Sequence, residues 1–170
     1  MTRVRSTLDR DPIREAHRQW VAHGWEEAAA GMAMVTSLTR VHQILMECVD
    51  DSLRPYDLTF ARFEVLRLLA FTRAGSLRMS RLGSLLQVHP TSVTSAVQRL
   101  EGQGFVTRSR DDLDKRVVRA AITDSGRKVI EPATVAVNAV FANPGMAPDD
   151  IAKLVDLLVS IRAEAGDPVT

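Results

Sequence analysis

Apolar positions along this chain recur at helical spacing almost throughout, and change to a strand-like pattern once. Asp11-Pro12 is a helix start, with an acidic cap followed by proline at the first helical position. The helix it predicts runs through "IREAHRQWVAH" and breaks near Gly24. A longer helix is predicted from about Trp25 to Leu53, where Met34, Leu38, Val41, Leu45 and Cys48 form one apolar stripe at spacings of four and three. Pro55 ends it. Thr59 is placed to cap "FARFEVLRLLAFT", with Leu58 and Phe63 as a hydrophobic staple across the cap. "RAGS" predicts a turn, and "MSRLGSLL" a short helix without an evident cap. Val93, Val97 and Leu100 then make a buried stripe on a helix that opens at Pro90 and ends at Gly102 and Gly104. The period changes after it. "FVTRSR" and "VVRAAIT" are rich in β-branched residues and flank "DDLDKR", which predicts a β-hairpin with a polar tip. Thr123 caps a further helix, expected to bend or break at Pro132. Pro148, Asp149 and Asp150 open the last helix, whose stripe is Ile151, Leu154, Val155, Leu158 and Ile161.

This order predicts a mainly α fold with a small β-hairpin wing. A short helix, a tight turn and a second helix make a helix-turn-helix, and the hairpin directly after it makes the winged version. The expected organisation is a flexible tail over residues 1–10, N-terminal dimerisation helices over 11–55, a winged helix-turn-helix DNA-binding region over 56–123, and C-terminal dimerisation helices over 124–170. Two apolar stripes at the ends of the chain exceed what a reading head of this size needs as a core, so a second copy of the chain is expected to cover them. The alternative is a monomer whose termini pack on each other.

Composition narrows the function classes. The formal net charge of +1 gives no overall bias towards nucleic acid, so any electrostatic attraction must be local. The one cysteine, Cys48, allows no intrachain disulfide and fits a reducing, cytoplasmic setting; it is expected to be a small buried hydrophobe. No apolar run is long enough for a bilayer, and the N-terminus lacks the apolar core of a signal peptide. The four histidines have no metal-ligand spacing, and no serine, cysteine or carboxylate constellation suggests catalysis. No metal, cofactor, membrane or enzymatic role is therefore expected.

The stretch "HPTSVTSAVQRLEGQGF" puts hydroxyl residues in the first turns of a helix, where Ala, Leu or Glu would be better formers. Its polar face carries Thr91, Ser92, Ser95, Gln98 and Arg99. Such a face is either solvated or in contact with something polar, and the neighbouring hairpin favours contact with DNA.

At this point the sequence resembles the MarR family of bacterial transcriptional regulators. The resemblance runs from about Leu58 to Gly126 and is carried by "LTFARFEVL", "HPTSVTSAVQRLEGQGFVTR" and "DLDKRVVRAAITDSGR". The last piece holds an Asp-x-Arg pattern, Asp114 and Arg116, and a Thr-x-x-Gly helix start, Thr123 and Gly126. The resemblance implies a homodimer that binds a pseudo-palindromic operator in double-stranded DNA, a repressor released by a small aromatic or anionic ligand. Pro90, Thr91, Ser92, Ser95, Gln98 and Arg99 are then expected in the major groove. Arg108, Arg110, Asp114, Lys115 and Arg116 belong to the wing, with Asp114 orienting Arg116 for the minor groove. Candidate lining for a ligand pocket, where the dimer helices meet the reading head, is Trp20, His42, Tyr56, Arg62 and Phe63. Urate-responsive members pair a Trp like Trp20 with an Asp and a recognition-helix Arg. This chain has Glu64 and Ala96 at those positions, so urate is not carried over. The alternative from another class is a winged-helix protein-interaction module without sequence-specific DNA binding.

Overall fold

A computed structural model of the chain describes residues 10–111, 114 and 116–169. They form α1 (Pro12–Ala22), α2 (Glu26–Leu53), a 3-10 turn (Arg54–Tyr56), α3 (Phe60–Phe71), β1 (Ser76–Arg78), α4 (Met79–Leu86), α5 (Pro90–Gly102), β2 (Val106–Arg110), β3 (Val118–Ile122), α6 (Asp124–Phe141) and α7 (Pro148–Glu164). The chain divides into two compact units at Asp51/Ser52. The expected tail falls almost wholly outside the described residues.

In the first unit, Asp11 caps α1 as its sequence predicts, its carboxylate accepting from the Ile13 and Arg14 N–H groups at 2.9 and 3.4 Å. Trp20 meets Trp25 edge-on, with ring centroids 5.5 Å apart, across the break at Gly24. The stripe on α2 is open. Met34 is 49%, Leu38 43% and Val41 46% exposed, although each is apolar. Cys48 is half-buried rather than buried in the single chain, because the stripe it extends has no cover.

The second unit holds the core. Val65, Leu66 and Leu69 of α3 are fully buried with Leu82, Val97, Leu100, Val106, Ala120, Ile130 and Val137. Each buried Val, Leu or Ile among them contributes about 1.5–3 kcal/mol through removal from water. Leu58 and Phe63, the expected staple, are both buried. Thr59 occupies the N-cap of α3, yet its hydroxyl caps nothing; it accepts a 3.3 Å hydrogen bond from Arg62 Nε. The staple and the Thr59 backbone carbonyl, which takes the Phe63 N–H at 2.9 Å, define this helix start instead.

The structure extends one expectation and narrows another. The hairpin is part of a three-stranded antiparallel sheet in the order β1-β3-β2, because Ser76–Arg78 pairs with β3 directly after the Gly75 turn. A three-residue strand is too short to leave an alternation in the sequence. Pro132 does not interrupt α6, which runs unbroken from Asp124 to Phe141. An interior proline costs a helix about 3 kcal/mol, and here Ile130, Ala133 and Val137, all fully buried, offset it.

Thr123 joins the sheet to α6. Its hydroxyl accepts from the Gly126 N–H at 3.0 Å and donates to the Gly104 carbonyl at 2.7 Å, tying the cap of α6 to the turn after α5. Thr123→Ala is expected to lower stability by about 1–2 kcal/mol, since a cap and a second hydrogen bond are lost together. Urea denaturation would check this, with a midpoint equal to wild type as the contrary result.

Candidate nucleic-acid interface

Helix α5 is built to be half core and half surface. Val93, Ala96, Val97 and Leu100 are buried, while Pro90, Thr91, Ser92, Thr94, Ser95, Gln98 and Arg99 are exposed. Pro90 opens the helix and His89 is its N-cap, with Nδ1 taking the Thr91 N–H at 3.3 Å. That contact gives His89 a structural role at the helix start. Not every hydroxyl is available. Thr94 donates to the Pro90 carbonyl at 2.9 Å, and Thr91 Oγ1 lies 3.0 Å from His89 Nδ1. Ser92, Ser95, Gln98 and Arg99 have no side-chain hydrogen bond or ion pair among the described residues. They line an open groove of about 1230 Å³ along the helix.

The far end of α5 is buttressed by Gln103 and Asp57, which the sequence did not single out, and by Arg62, which it offered as pocket lining. Gln103, its C-cap, donates from Nε2 to both the carbonyl and the carboxylate of Asp57, each at 2.8 Å. Arg62 donates to Gln103 Oε1 at 3.0 Å. Asp57 sits at φ 52°, a left-handed conformation that aspartate tolerates better than most residues. Gln103 and Asp57 are 46 positions apart, and no local pattern links them.

In the wing, β2 and β3 pair from Val106↔Ile122 to Arg110↔Val118. Asp111 and Val117, then Asp114 and Val117, close the turn by backbone hydrogen bonds of 2.8 and 2.9 Å. Asp114 holds Arg116 by a two-pronged contact, Nε to Oδ1 at 3.1 Å and Nη2 to Oδ2 at 3.3 Å, and also takes its backbone N–H at 3.0 Å. The guanidinium beside it holds the Asp114 carboxyl below the usual carboxylate range. Arg116 is nevertheless 91% exposed, its charge facing outward. Arg110 is also exposed. Arg108 is engaged: Nε donates to Glu101 at the end of α5 at 2.8 Å, and this bond lowers the Glu101 pKa. Lys115 lies outside the described residues.

The five candidate ligand residues are divided between the two units. Trp20 and His42 belong to the first unit, while Tyr56, Arg62 and Phe63 belong to the second. Arg62 faces the groove beside α5, because Gln103 draws its guanidinium there. Phe63 lines an apolar pocket, of about 390 Å³, between α3, α4 and α6. Phe60, Phe71 and Phe141 line it too, with Glu64 and Arg67 as its charged groups. Burial pushes the Glu64 carboxyl up. Arg67 lies 4.4 Å over the Phe71 ring and donates to Glu131 and Thr134, while its buried Nε has no partner. Of these aromatic residues the sequence singled out Phe63 as pocket lining; Phe60, Phe71 and Phe141 come together with it through the packing of α3 and α6. Among the described residues no group of His, Cys, Asp or Glu could hold a metal ion, and no helix is long and apolar enough to cross a membrane.

Comparison with known proteins gives concordant results. The MarR family model matches residues 58–118. The uncharacterized HTH-type transcriptional regulator YkoM of Bacillus subtilis strain 168 is 30% identical over 135 residues, covering 78% of this chain and 86% of YkoM. Sco5413, a MarR family transcriptional regulator from Streptomyces coelicolor, has a crystal structure that superposes with a TM-score of 0.73 at 41% identity, covering 81% of this chain and 96% of Sco5413. Sco3205, a MarR family regulator from the same organism crystallised with DNA, has the same fold: TM-score 0.71 at 24% identity, covering 79% of this chain and 90% of Sco3205.

Proposed function

This chain belongs to the MarR family of winged helix-turn-helix transcriptional regulators, and from that premise we propose that it works as a cytoplasmic homodimer, without enzymatic activity, that represses from a pseudo-palindromic operator. The observation that carries this reading is the outer face of α5. Ser92, Ser95, Gln98 and Arg99 project into an open groove without partners of their own among the described residues. Polar side chains on an otherwise well-packed helix can exchange water for base edges at little cost, since no internal hydrogen bond is broken. Thr91 and Pro90 sit at the helix N-terminus, which attracts a phosphate. Arg116, Arg110 and Lys115 would contact the flanking minor groove and backbone, with Asp114 holding Arg116 in place. Arg108 would act mainly by fixing the wing to α5 through Glu101.

The open stripe of α2, and Val155, Leu157 and Ile161 of α7, exposed by 50, 65 and 50%, support dimerisation. Surfaces of this kind are covered when the same patch of a second copy packs on them. The effector would be an apolar anion, such as an aromatic acid, in the pocket of Phe60, Phe63 and Phe71 with Arg67 as counter-ion. Binding there would release DNA by favouring a different arrangement of the reading heads.

Selection of bound sequences from a random duplex pool, at two salt concentrations, tests the DNA reading. The expected result is a palindrome with half-sites centred about 34–36 Å apart, one helical turn. Binding without an enriched motif would leave a general DNA-coating protein. No binding in the absence of effector would favour the protein-interaction module.

A further inference from the structure

The start of α4 carries a basic cluster outside the interface described above. Arg78, Ser80, Arg81, Ser84, Leu77 and Arg119 line an open dish of about 420 Å³ at the junction of β1 and α4. Arg78 and Arg119 are directly opposite each other across the β1–β3 pair, so their side chains leave the same face of the sheet. Like charges in that position repel. Arg119 is compensated by Asp111, 3.5 Å away, and donates to Ser76 Oγ at 3.2 Å. The side chains of Arg78 and Arg81 form no hydrogen bond or ion pair among the described residues. Arg78 is close enough to Asp114 to help lower its pKa, but Asp114 is committed to Arg116.

A sheet that sets two arginines side by side and leaves a third beside them is built for an anion from outside. Helix α4 adds to this. Arg78 is its N-cap but makes no side-chain cap bond, so the first N–H groups of α4 lack an internal acceptor. We propose that this cluster binds phosphates of the DNA backbone, as a second anchor for each reading head, with Arg78 and Arg81 as the contacting residues and Arg119 as a fixed background charge. The proposal rests on the DNA-binding function above and adds residues to it. Two features select a backbone phosphate over a small effector. The dish is open, and its polar groups are guanidinium and hydroxyl, with Leu77 beside them and no aromatic residue, whereas a small ligand is usually mostly enclosed. The cluster also runs on into the wing through Arg78, Asp114 and Arg116.

The contacts predicted here are to phosphate, so they set affinity and not sequence preference. The test compares wild type with R78Q, R81Q and the double variant on the selected operator and on random duplex, across a salt series. Each phosphate contact removed should lower the slope of log K against log salt by about 0.9. The double variant should therefore lose roughly two units of slope per protomer. Operator and random duplex should weaken by the same factor, and the selected motif should be unchanged. A neutral methylphosphonate at the contacted position should weaken wild type but not the double variant. Thermal unfolding of R78Q should occur no lower than that of wild type, because a like-charge pair is relieved.

If wild type binds in a salt-dependent way and the double variant has the same slope, the anchor is wrong and the function stands. If wild type binds no duplex, the function fails and the anchor with it. If the substitutions abolish binding of inorganic phosphate, followed by nuclear magnetic resonance, yet leave the DNA slope intact, the cluster is a small-anion site and the DNA anchor is overturned.

Discussion

Arg116→Ala is expected to weaken operator binding by about 1–3 kcal/mol, the range for a directly contacting arginine, or roughly five- to 150-fold. The reason is preorganisation as much as charge. A free arginine loses side-chain entropy when it enters a groove. Here Asp114 already holds both prongs of the guanidinium, at 3.1 and 3.3 Å, while leaving it 91% exposed. The narrow minor groove of A·T-rich DNA concentrates negative potential where that group would sit. R116K keeps the charge but loses the planar fork, so it should fall between wild type and R116A. Substituting so exposed a side chain should leave stability within about 0.5 kcal/mol. Fluorescence anisotropy on the selected operator measures the binding loss; an R116A affinity within twofold of wild type would remove the wing from the interface. The Asp114 carboxyl is held below its ordinary range, so its charged form is the one the fold favours. The clasp is accordingly complete at neutral pH and is lost only as pH falls through that lowered value.

Gly126→Ala is expected to have the largest effect on stability, about 3 kcal/mol or somewhat more, at the upper end of overpacking costs. A Cβ built at Gly126 would lie 2.3 Å from the Phe105 carbonyl oxygen and 2.8 Å from Ile122 Cγ1. The carbonyl cannot yield, because it already accepts the Thr123 N–H at 3.0 Å. Relief therefore requires α6 to move away from the sheet, and that would open the core at Ile122 and Ile130. Gly102→Ala is the control: nothing lies within 4 Å of its Cβ position, so the change should be neutral or slightly favourable. Denaturant unfolding of the two variants separates a specific clash from a general intolerance of glycine replacement. Equal midpoints would show that the approach of α6 to the sheet is not close in solution.

The Thr-x-x-Gly motif shows how far the sequence goes. Thr123 is legible as a cap, since hydroxyl residues compete for exposed N–H groups at a helix start. The reason for glycine at position 126 is not local: it lies in the Phe105 carbonyl, 21 positions earlier along the chain. The same division holds for the candidate interface. The exposed row of α5 follows from the spacing of Val93, Val97 and Leu100, because burying one helical face leaves the other outside. The fates of Arg108 and Arg62 do not follow, because their partners, Glu101 and Gln103, are chosen by how strand and helices meet.

The sequence by itself therefore determined the helices, the hairpin, the polar face of α5 and the open stripe of α2. All of these depend on periodicity and on capping within a few residues. Only the tertiary structure decided that Ser76–Arg78 is a strand, that Pro132 sits in an unbroken helix, that the aromatic pocket gathers Phe60, Phe63, Phe71 and Phe141, and that Arg78 stands opposite Arg119. Each of these rests on a contact between segments far apart in the chain. Such contacts are set by core packing and strand register, and a one-dimensional pattern does not record them.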